Sequence, residues 1–583
     1  MSLGQQTFGD TALSRWFSSW IWRFEHAFER ARASGRAEDD TRIRIFVVLV
    51  LFSLGFLWLT YGSTRATLFP GASRGDYAAS LGSARADLVD RNGQMLAADL
   101  LHYGLYIDPR EIWDTAETRR ALAASLPGLT PERLERALRA GRRTFVTGGL
   151  TPEVRAQVHE LGLPGVSFEP EQKRVYPLGY TAAHLIGFAD TGGEGLAGAE
   201  AALNDDIRAA VSGGTTVPLA IDLRVQAVLE DELYRAAAQF HPHGAAGVVI
   251  NVHTGEILGL ASYPTFDPNK PGAASLDARL NRAAGSIYEM GSTFKGFTVA
   301  IGLDTGVATP TSTFDARTPF QLGYRTIHDY HATHKILTLV EVFQHSSNIG
   351  TARLAEQIGV ERLSHYFKAF GLTEPAKIEL IETARPLTPR VWNQDAVAST
   401  SFGHGMNVSP LALARAYSSL LNGGELLPLT IRKLPVGAQV HGPRIVSPAT
   451  AATLLQIMRS NVTGGSGKSA NIPGLNVGGK TGTGDKWDNA ARAYSHTKQV
   501  SSFAAVFPTD GPLDAQRYFV LILLDEPGRD KTGLDPTGGI AAAPAAGRVI
   551  ERIAPFLGVQ RRVETNPFAP PAVVAAADAG EEH

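Results

Sequence analysis

The chain has 583 residues, of which 44% are hydrophobic and 19% are charged, and its formal net charge is -2. This length exceeds that of a single domain of usual size, so we expect two or more folded units. The near-neutral charge argues against a general nucleic-acid binder, and the lack of cysteine excludes disulfides, thiolate metal sites and a cysteine nucleophile.

An apolar run at residues 43–61 follows a charged N-terminal region. It is long enough for one transmembrane helix, and Arg44 is its only charge. Arginines are concentrated before or at the start of the run, at Arg15, Arg23, Arg30, Arg32, Arg36, Arg42 and Arg44, whereas only Arg65 and Arg74 follow soon after it. The positive-inside rule therefore predicts a cytoplasmic segment at 1–42, a spanning helix at 43–61 and a remainder outside the membrane. A cleaved signal peptide fits poorly, because the leading segment is too long and no A-x-A cleavage site follows.

Aromatic residues recur every four positions in the leading segment, at Trp16, Trp20, Phe24 and Phe28. On a helix they would form one stripe, which is typical of a helix lying in a membrane interface. A partner-binding or partly disordered tail is the alternative, and the sequence does not separate the two.

The residues after the anchor divide into three stretches by pattern. Residues 62–214 are mixed, with a predicted strand at Tyr103–Ile107 and predicted helices at Pro131–Leu138 and Pro152–Leu161. Residues 215–558 alternate helices and strands, and residues 559–583 are predicted to form a flexible Pro/Ala-rich tail. Within residues 215–558 we predict a hairpin formed by Ala246–Ile250 and Ile257–Ala261. Two further strands are predicted at Phe503–Phe507 and Tyr518–Leu524. Four helices are predicted at Asp222–Phe240, Pro410–Leu421, Pro448–Arg459 and Ala541–Phe556.

A first short motif, Ser292-Thr293-Phe294-Lys295, opens an apolar helical pattern. Three residues apart on a helix, Ser292 and Lys295 share a face, and a helix N-terminus favours a developing alkoxide on Ser292. Lys295 can act as a base only if burial or a second cation lowers its pKa. Alone, this spacing arises by chance in many helices.

Two more short motifs follow, and the three motifs in this order form a strong signal although each alone is common. Ser346-Ser347-Asn348 comes first, and Lys480-Thr481-Gly482-Thr483 precedes two apolar strands. Lys480 on an edge strand would supply positive charge, and the small Gly482 would let a substrate backbone lie close. The backbone N–H groups of Thr483 and Ser292 could form an oxyanion hole.

The chain resembles the class B penicillin-binding proteins over nearly all of its length after the anchor. The resemblance extends beyond the three motifs to Asp90-Arg91-Asn92-Gly93, His253-Thr254-Gly255-Glu256-Ile257, Tyr288-Glu289-Met290-Gly291 and Ser401-Phe402-Gly403-His404-Gly405. The phrase around Ser292 is most similar to the division-specific (septal) members of alphaproteobacteria. Gly484 and the polar Asp485-Lys486-Trp487 after Thr483 depart from the usual pattern without removing a catalytic atom.

The resemblance implies an α/β (α+β) transpeptidase domain with an antiparallel sheet covered by helices, carried by an elongated α+β pedestal domain. It implies a peptidoglycan D,D-transpeptidase that needs no cofactor and forms an acyl-enzyme on Ser292, with Lys295 as base. Ser346 would relay a proton, held by Asn348 and Lys480, and Thr481 and Thr483 would hold the donor carboxylate. β-Lactams would acylate the same serine.

The resemblance also implies partners and a location. The partners would be peptidoglycan stem peptides, a SEDS-type glycosyltransferase and other membrane proteins of the division machinery, without nucleic acid. The location would be the bacterial inner membrane, with one span and a periplasmic catalytic domain.

Several alternatives are weighed against this interpretation. An elongation-specific transpeptidase would carry the same motifs. A membrane-bound β-lactamase needs a base for deacylation, and Glu374-Pro375-Ala376-Lys377 lacks the accompanying Asn. A β-lactam sensor would keep the catalytic set. His328, His331 and His334 are interpreted as structural or solvated histidines rather than as a zinc site, and residues 464–469 (GGSGKS) do not fit a P-loop because Val462 stands where Gly is needed.

Overall fold

The computed structural model describes residues 26, 29, 30, 33, 45, 48–61, 84–488, 493–531 and 533–562. The chain divides into two compact units, Met1–Ser80 and Leu81–His583. In the first unit, residues 48–61 are helical and carry exposed apolar side chains such as Phe52 and Trp58. Among the described residues, no helix is both long enough and apolar enough to cross a membrane. The predicted aromatic stripe and the predicted tail beyond residue 562 lie outside the described residues.

The amino-terminal part of the second unit contains a mixed sheet centred on one long strand. Its strands are β1 (Leu88–Val89), β2 (Met95–Ile107), β3 (Thr144–Leu150), β4 (Val166–Val175) and β7 (Val217–Pro218), with β5 (Phe188–Ala189) and β6 (Gly195–Ala197) forming a separate ribbon. The long strand β2 pairs antiparallel with β1, β3 and β4, whereas β7 pairs parallel with β1. The helices are α1 (Thr115–Ser125), α2 (Pro131–Leu138), α3 (Pro152–Glu160), α4 (Ala183–Ile186), α5 (Gly198–Ala202) and α6 (Asn204–Gly213).

The Asp90-Arg91-Asn92-Gly93 phrase forms the turn between β1 and β2. The Asp90 carboxylate accepts hydrogen bonds from the backbone N–H groups of Asn92 and Gln94, each at 2.8 Å. It also accepts one at 3.1 Å from the N–H of Leu223, the first residue of the helix Leu223–Phe240. One side chain therefore joins the first sheet to the domain that follows.

That following domain is built on a five-stranded, fully antiparallel sheet. Its strands are β8 (Gly244–Asn251), β9 (Ile257–Tyr263), β14 (Gly478–Asp488), β15 (Ala493–Phe507) and β16 (Tyr518–Asp525), in the spatial order β14-β15-β16-β8-β9. Two small ribbons pair β10 (Thr313–Asp315) with β13 (Ile336–Thr338) and β11 (Phe320–Leu322) with β12 (Arg325–Ile327). The strand β14 therefore lies at an edge of the main sheet.

Helices surround this sheet. They are α7 (Leu223–Phe240), α8 (Leu276–Arg279), α9 (Arg282–Gly285), α10 (Lys295–Asp304), α11 (Leu339–Gln344), α12 (Asn348–Ile358), α13 (Val360–Ala369), α14 (Gln394–Thr400), α15 (Pro410–Leu421), α16 (Pro448–Gly464) and α17 (Ala543–Ile553). A π-helical turn at Gly538–Ala542 leads into α17.

Strand alternation explains why helices cover both faces of the sheet. In β16, Phe519 and Leu521 belong to the apolar core on one face, with Phe297 of α10. Val520 and Ile522 belong to the core on the other face, with Leu229 of α7. Because successive side chains point to opposite faces of a strand, a continuous apolar run such as β16 requires cover on both sides.

The fold agrees with the sequence-based prediction in class and in most elements. The predicted hairpin, the two further strands and the helices at Pro131–Leu138 and Pro410–Leu421 are confirmed. The helix α16 continues five residues beyond the predicted Arg459, to Gly464. The predicted terminal helix begins as a π-helical turn rather than as a regular α-helix.

Candidate active site

Ser292 lies in a short 3-10 helix, Gly291–Phe294, that runs directly into α10. Sequence reasoning placed Ser292 on the α-helix itself; the α-helix begins only at Lys295. This difference in helix type does not separate Ser292 from Lys295, because side chains at i and i+3 eclipse one another on a 3-10 helix. Ser292 and Lys295 therefore still share a face.

Buried contacts hold this 3-10 turn in place. The Thr293 hydroxyl donates to the carbonyl of Met290 at 2.9 Å, and the buried Tyr417 hydroxyl of α15 donates to the carbonyl of Thr293. Phe294 and Phe297 are fully buried beneath the turn. Ser292 itself is half-buried, so the residue remains partly accessible on a turn that buried side chains support.

Lys295 is fully buried and directs its amine at the second motif. Its Nζ donates to Asn348 Oδ1 at 2.7 Å, to Ser346 Oγ at 3.1 Å and to the Ser346 carbonyl. Burial lowers the pKa of Lys295 to about 7, although the nearby Asp329 carboxylate opposes this shift. A large fraction of Lys295 is therefore neutral near neutral pH, as a general base requires.

Lys480 approaches the same serine from the edge strand β14. Its Nζ donates to Ser346 Oγ at 2.9 Å and to the Thr481 carbonyl at 3.0 Å. Burial, with a further contribution from Lys295, lowers the pKa of Lys480 well below its usual value. Ser346 Oγ contacts both amines. Because two charged amines in one buried site repel each other, protonation of one lysine disfavours protonation of the other.

Thr481 and Thr483 follow Lys480 along β14. The Thr481 hydroxyl is 2.9 Å from Ser466 Oγ, and the Thr483 hydroxyl accepts from the N–H of Gly538 at 3.1 Å. Because β14 is an edge strand, backbone groups on its outer side are available to an added strand.

Gly482 also lies in close contact with the turn that carries Ser292. A Cβ at this position would lie 2.5 Å from the carbonyl oxygen of Met290 and 2.8 Å from Thr293 Cγ2. The missing side chain thus makes room for the protein's own Ser292 turn. Close packing inside the site, not only approach by a substrate, requires glycine here.

The three motifs predicted from the sequence therefore meet in one place. Sequence reasoning missed residues that support them, namely Asp329, Tyr417, Asn461 and Ser466. Asn461 donates to the Gly479 carbonyl at 2.8 Å and accepts from Ser466 N at 3.0 Å. The Gly/Ser-rich segment at residues 464–469 thus lies beside Thr481, and this contact forms only in the folded chain.

In the described part of the chain, no group of three or more His, Cys, Asp or Glu side chains is arranged to hold a metal ion. Of the three histidines at 328–334, His334 contacts the Arg317 carbonyl through Nδ1 at 3.1 Å. His328 contributes its carbonyl, which accepts from Asn348 Nδ2 at 3.0 Å.

Comparison with protein families gives two matches. Residues 245–551 match the penicillin-binding protein transpeptidase domain, and residues 80–205 match the penicillin-binding protein dimerisation domain. The first match covers more than half of the chain and includes Ser292, Lys295, Ser346, Asn348 and Lys480.

Individual relatives extend the similarity over almost the whole chain. The chain is 62% identical over 574 residues to the probable peptidoglycan D,D-transpeptidase FtsI of Caulobacter vibrioides, covering 97% of this chain and 98% of the relative. It is 31% identical over 511 residues to the probable peptidoglycan D,D-transpeptidase PenA of Neisseria gonorrhoeae, covering 82% and 86%. The crystal structure of penicillin-binding protein 3 from Mycobacterium tuberculosis complexed with aztreonam matches with a TM-score of 0.63 and 25% identity, over 82% of this chain and 98% of the other.

Proposed function

This chain belongs to the class B penicillin-binding proteins, and on that premise we propose that it is a peptidoglycan D,D-transpeptidase whose nucleophile is Ser292. The observation that carries the proposal is the network in which Lys295 and Lys480 both contact Ser346 beside the Ser292 turn. A serine acyltransferase needs a neutral base, a proton relay and a cation for the substrate carboxylate, and this network contains a candidate for each.

In the first half-reaction, neutral Lys295 takes the proton of Ser292, and Ser292 Oγ attacks the carbonyl carbon between the two terminal D-alanines of a stem peptide. The backbone N–H groups of Ser292 and Thr483 stabilise the oxyanion of the tetrahedral intermediate. As the C–N bond breaks, the proton passes from Lys295 through Ser346 to the leaving amine. The products are free D-alanine and an ester on Ser292.

The donor's terminal carboxylate is placed at Thr481 and Thr483. Its arrival gives the buried Lys480 a counter-ion, which favours the protonated amine. A charged Lys480 in turn disfavours a charge on Lys295. Substrate binding thus helps to keep the base neutral when the reaction starts.

In the second half-reaction, the amine of an acceptor stem peptide attacks the Ser292 ester and loses a proton to Lys295. The ester C–O bond breaks, the new peptide cross-link forms, and Ser292 recovers its proton. A covalent intermediate between two substrates predicts ping-pong kinetics. β-Lactams are proposed to enter the first half-reaction alone and leave a slowly hydrolysed acyl-enzyme.

We further propose a role in cell division at the inner membrane, with residues 43–61 as a single anchor and the catalytic domain in the periplasm. The 62% identity to a relative named FtsI supports the division role, and the arginine-rich leader supports the orientation. Polymerisation of glycan is assigned to a separate SEDS-type glycosyltransferase. Depletion of the protein in its host distinguishes a role in division from a role in elongation. Filamentous cells would indicate division, and round cells would indicate elongation.

The nucleophile is tested with a labelled penicillin on the purified protein. We expect a stable adduct on wild type and none on Ser292→Ala, which should melt as wild type does. Release of the label within minutes would indicate a β-lactamase. Labelling of the Ser292→Ala variant would refute the assignment, and an adduct without cross-linking of stem peptides would indicate a sensor.

A further inference from the structure

Asp329 lies outside the three motifs, yet its carboxylate reaches into the second one. Oδ2 accepts a hydrogen bond from the Ser347 hydroxyl at 2.8 Å, and Oδ1 accepts one from the backbone N–H of Ile349 at 2.9 Å. These two groups lie on either side of Asn348, at the start of α12. A single carboxylate therefore spans the turn that carries Ser346 and Asn348.

The residue before Asp329 contacts the same turn. The carbonyl of His328 accepts from Asn348 Nδ2 at 3.0 Å, which leaves Asn348 Oδ1 directed at the amine of Lys295 at 2.7 Å. The two consecutive residues thus fix both the backbone of the turn and the orientation of the Asn348 amide.

This turn needs external support. Ser346 has φ 56°, a left-handed backbone conformation that residues other than glycine adopt only at an energetic cost. Such residues persist where their surroundings hold them in place. The Ser346 carbonyl accepts from Lys295 on one side, and the Asp329 carboxylate holds the next residues on the other.

We propose that Asp329 is a positioning residue for acyl transfer, which holds the Ser346–Asn348 turn against Lys295 and adds one negative charge near the buried amine of Lys295. The inference rests on the proposed function, because it assigns Asp329 a role through Lys295 and Ser346 rather than through the substrate.

The charge of Asp329 has a consequence separate from its hydrogen bonds. Lys295 faces Lys480 from β14 and Asp329 from the segment before β13, while the exposed His328 and His331 flank Asp329 on its own segment. Burial lowers the pKa of Lys295 and Asp329 raises it. Loss of the carboxylate should therefore let Lys295 lose its proton at a lower pH.

Two substitutions separate the hydrogen bonds from the charge. Asp329→Asn is nearly isosteric: its oxygen still accepts from Ile349 and its amide can donate to Ser347, but the charge is gone. Asp329→Ala removes both. The measurement is the second-order rate constant for acylation by a labelled penicillin from pH 5 to 9, with thermal melting in parallel.

For Asp329→Asn we expect the acidic limb of the profile to move to lower pH by about half a unit or more. For Asp329→Ala we expect the same displacement together with a plateau reduced about 10- to 100-fold, because the turn is misplaced. Asp315→Asn is the matched control, since Asp315 pairs with Arg317 at 2.8 Å in the same domain, and it should leave the profile unchanged.

An unchanged midpoint in both Asp329 variants would overturn the inference, even if their melting temperatures fell, because Asp329 would then be merely structural. A plateau for Asp329→Ala equal to that of wild type would also overturn it. Absence of an adduct on wild type would instead contradict the proposed function, so the two failures are distinguishable.

Discussion

Gly291 and Thr483 lie so close together that a Cβ added to Gly291 would overlap the carbonyl oxygen of Thr483. Gly291 also has φ 53° and donates its N–H to the Gly403 carbonyl at 3.2 Å. The turn that carries Ser292 is thereby pressed against the edge strand β14. This contact sets the distance between the two backbone N–H groups that we assign to the oxyanion.

Gly291→Ala should therefore abolish acylation by labelled penicillin. The added methyl group must push the turn away from β14, and a positive φ costs a non-glycine residue about 1–2 kcal/mol in addition. Gly306→Ala is the control, because Gly306 has φ 69° with open space around its missing Cβ. It should lower the free energy of unfolding by a similar conformational cost and leave the acylation rate unchanged. Equal rates in the two variants would show that the close approach does not matter.

Much of the site could be predicted from the sequence because its residues belong to short motifs with fixed local geometry. Ser292 and Lys295 share a face on either helix type, and Lys480 lies near the start of a strand that is followed by two further apolar strands. The fold class followed from the alternation of apolar runs such as β16 with amphipathic helices such as α7.

The supporting residues could not be predicted, because their roles depend on contacts between distant parts of the chain. Asp329 is separated from Ser347 by a ribbon strand and a helix, and Ser466 reaches Thr481 only after α16 ends. The close approach of Gly482 to the carbonyl of Met290 is likewise a contact that no local pattern reveals.

The acylation rate should rise with pH through a midpoint near 7. Lys295 is the base, burial lowers its pKa to about 7, and only its neutral form can accept the proton of Ser292. Below the midpoint the amine is charged and the rate falls, by about tenfold per pH unit. The rate constant for adduct formation between pH 5 and 9 measures this directly. A flat profile over that range would exclude Lys295 as the titrating base.

Lys480→Met should reduce acylation by about 100-fold or more, because it removes the cation proposed for the donor carboxylate and a hydrogen bond to Ser346. Methionine keeps much of the side-chain volume in a fully buried position, and the loss of a buried amine should not unfold the domain. Lys468→Met, at an exposed position nearby, is the control and should react as wild type does. If Lys480→Met kept the wild-type rate, Lys480 would have no part in the reaction.

A buried ion cluster should determine the stability of the amino-terminal part without affecting the active site. Glu200 is fully buried and accepts from Arg85 Nε and Arg174 Nε, each at 2.7 Å. Removal of its charge leaves the buried Arg85 guanidinium without its ion-pair partner and leaves Arg174 with Asp99 alone, at 3.1 Å. Breaking a buried pair in this way typically costs about 3–5 kcal/mol.

We therefore expect Glu200→Gln to lower the midpoint of chemical denaturation strongly. Asp206→Asn breaks the exposed ion pair with Arg432 and should cost less than about 1 kcal/mol. The fraction of Glu200→Gln that remains folded should bind labelled penicillin at the wild-type rate, because the three motifs lie in the other domain. A Glu200→Gln variant as stable as Asp206→Asn would show that the cluster contributes little, and a slowed acylation of the folded fraction would show that the two domains are coupled.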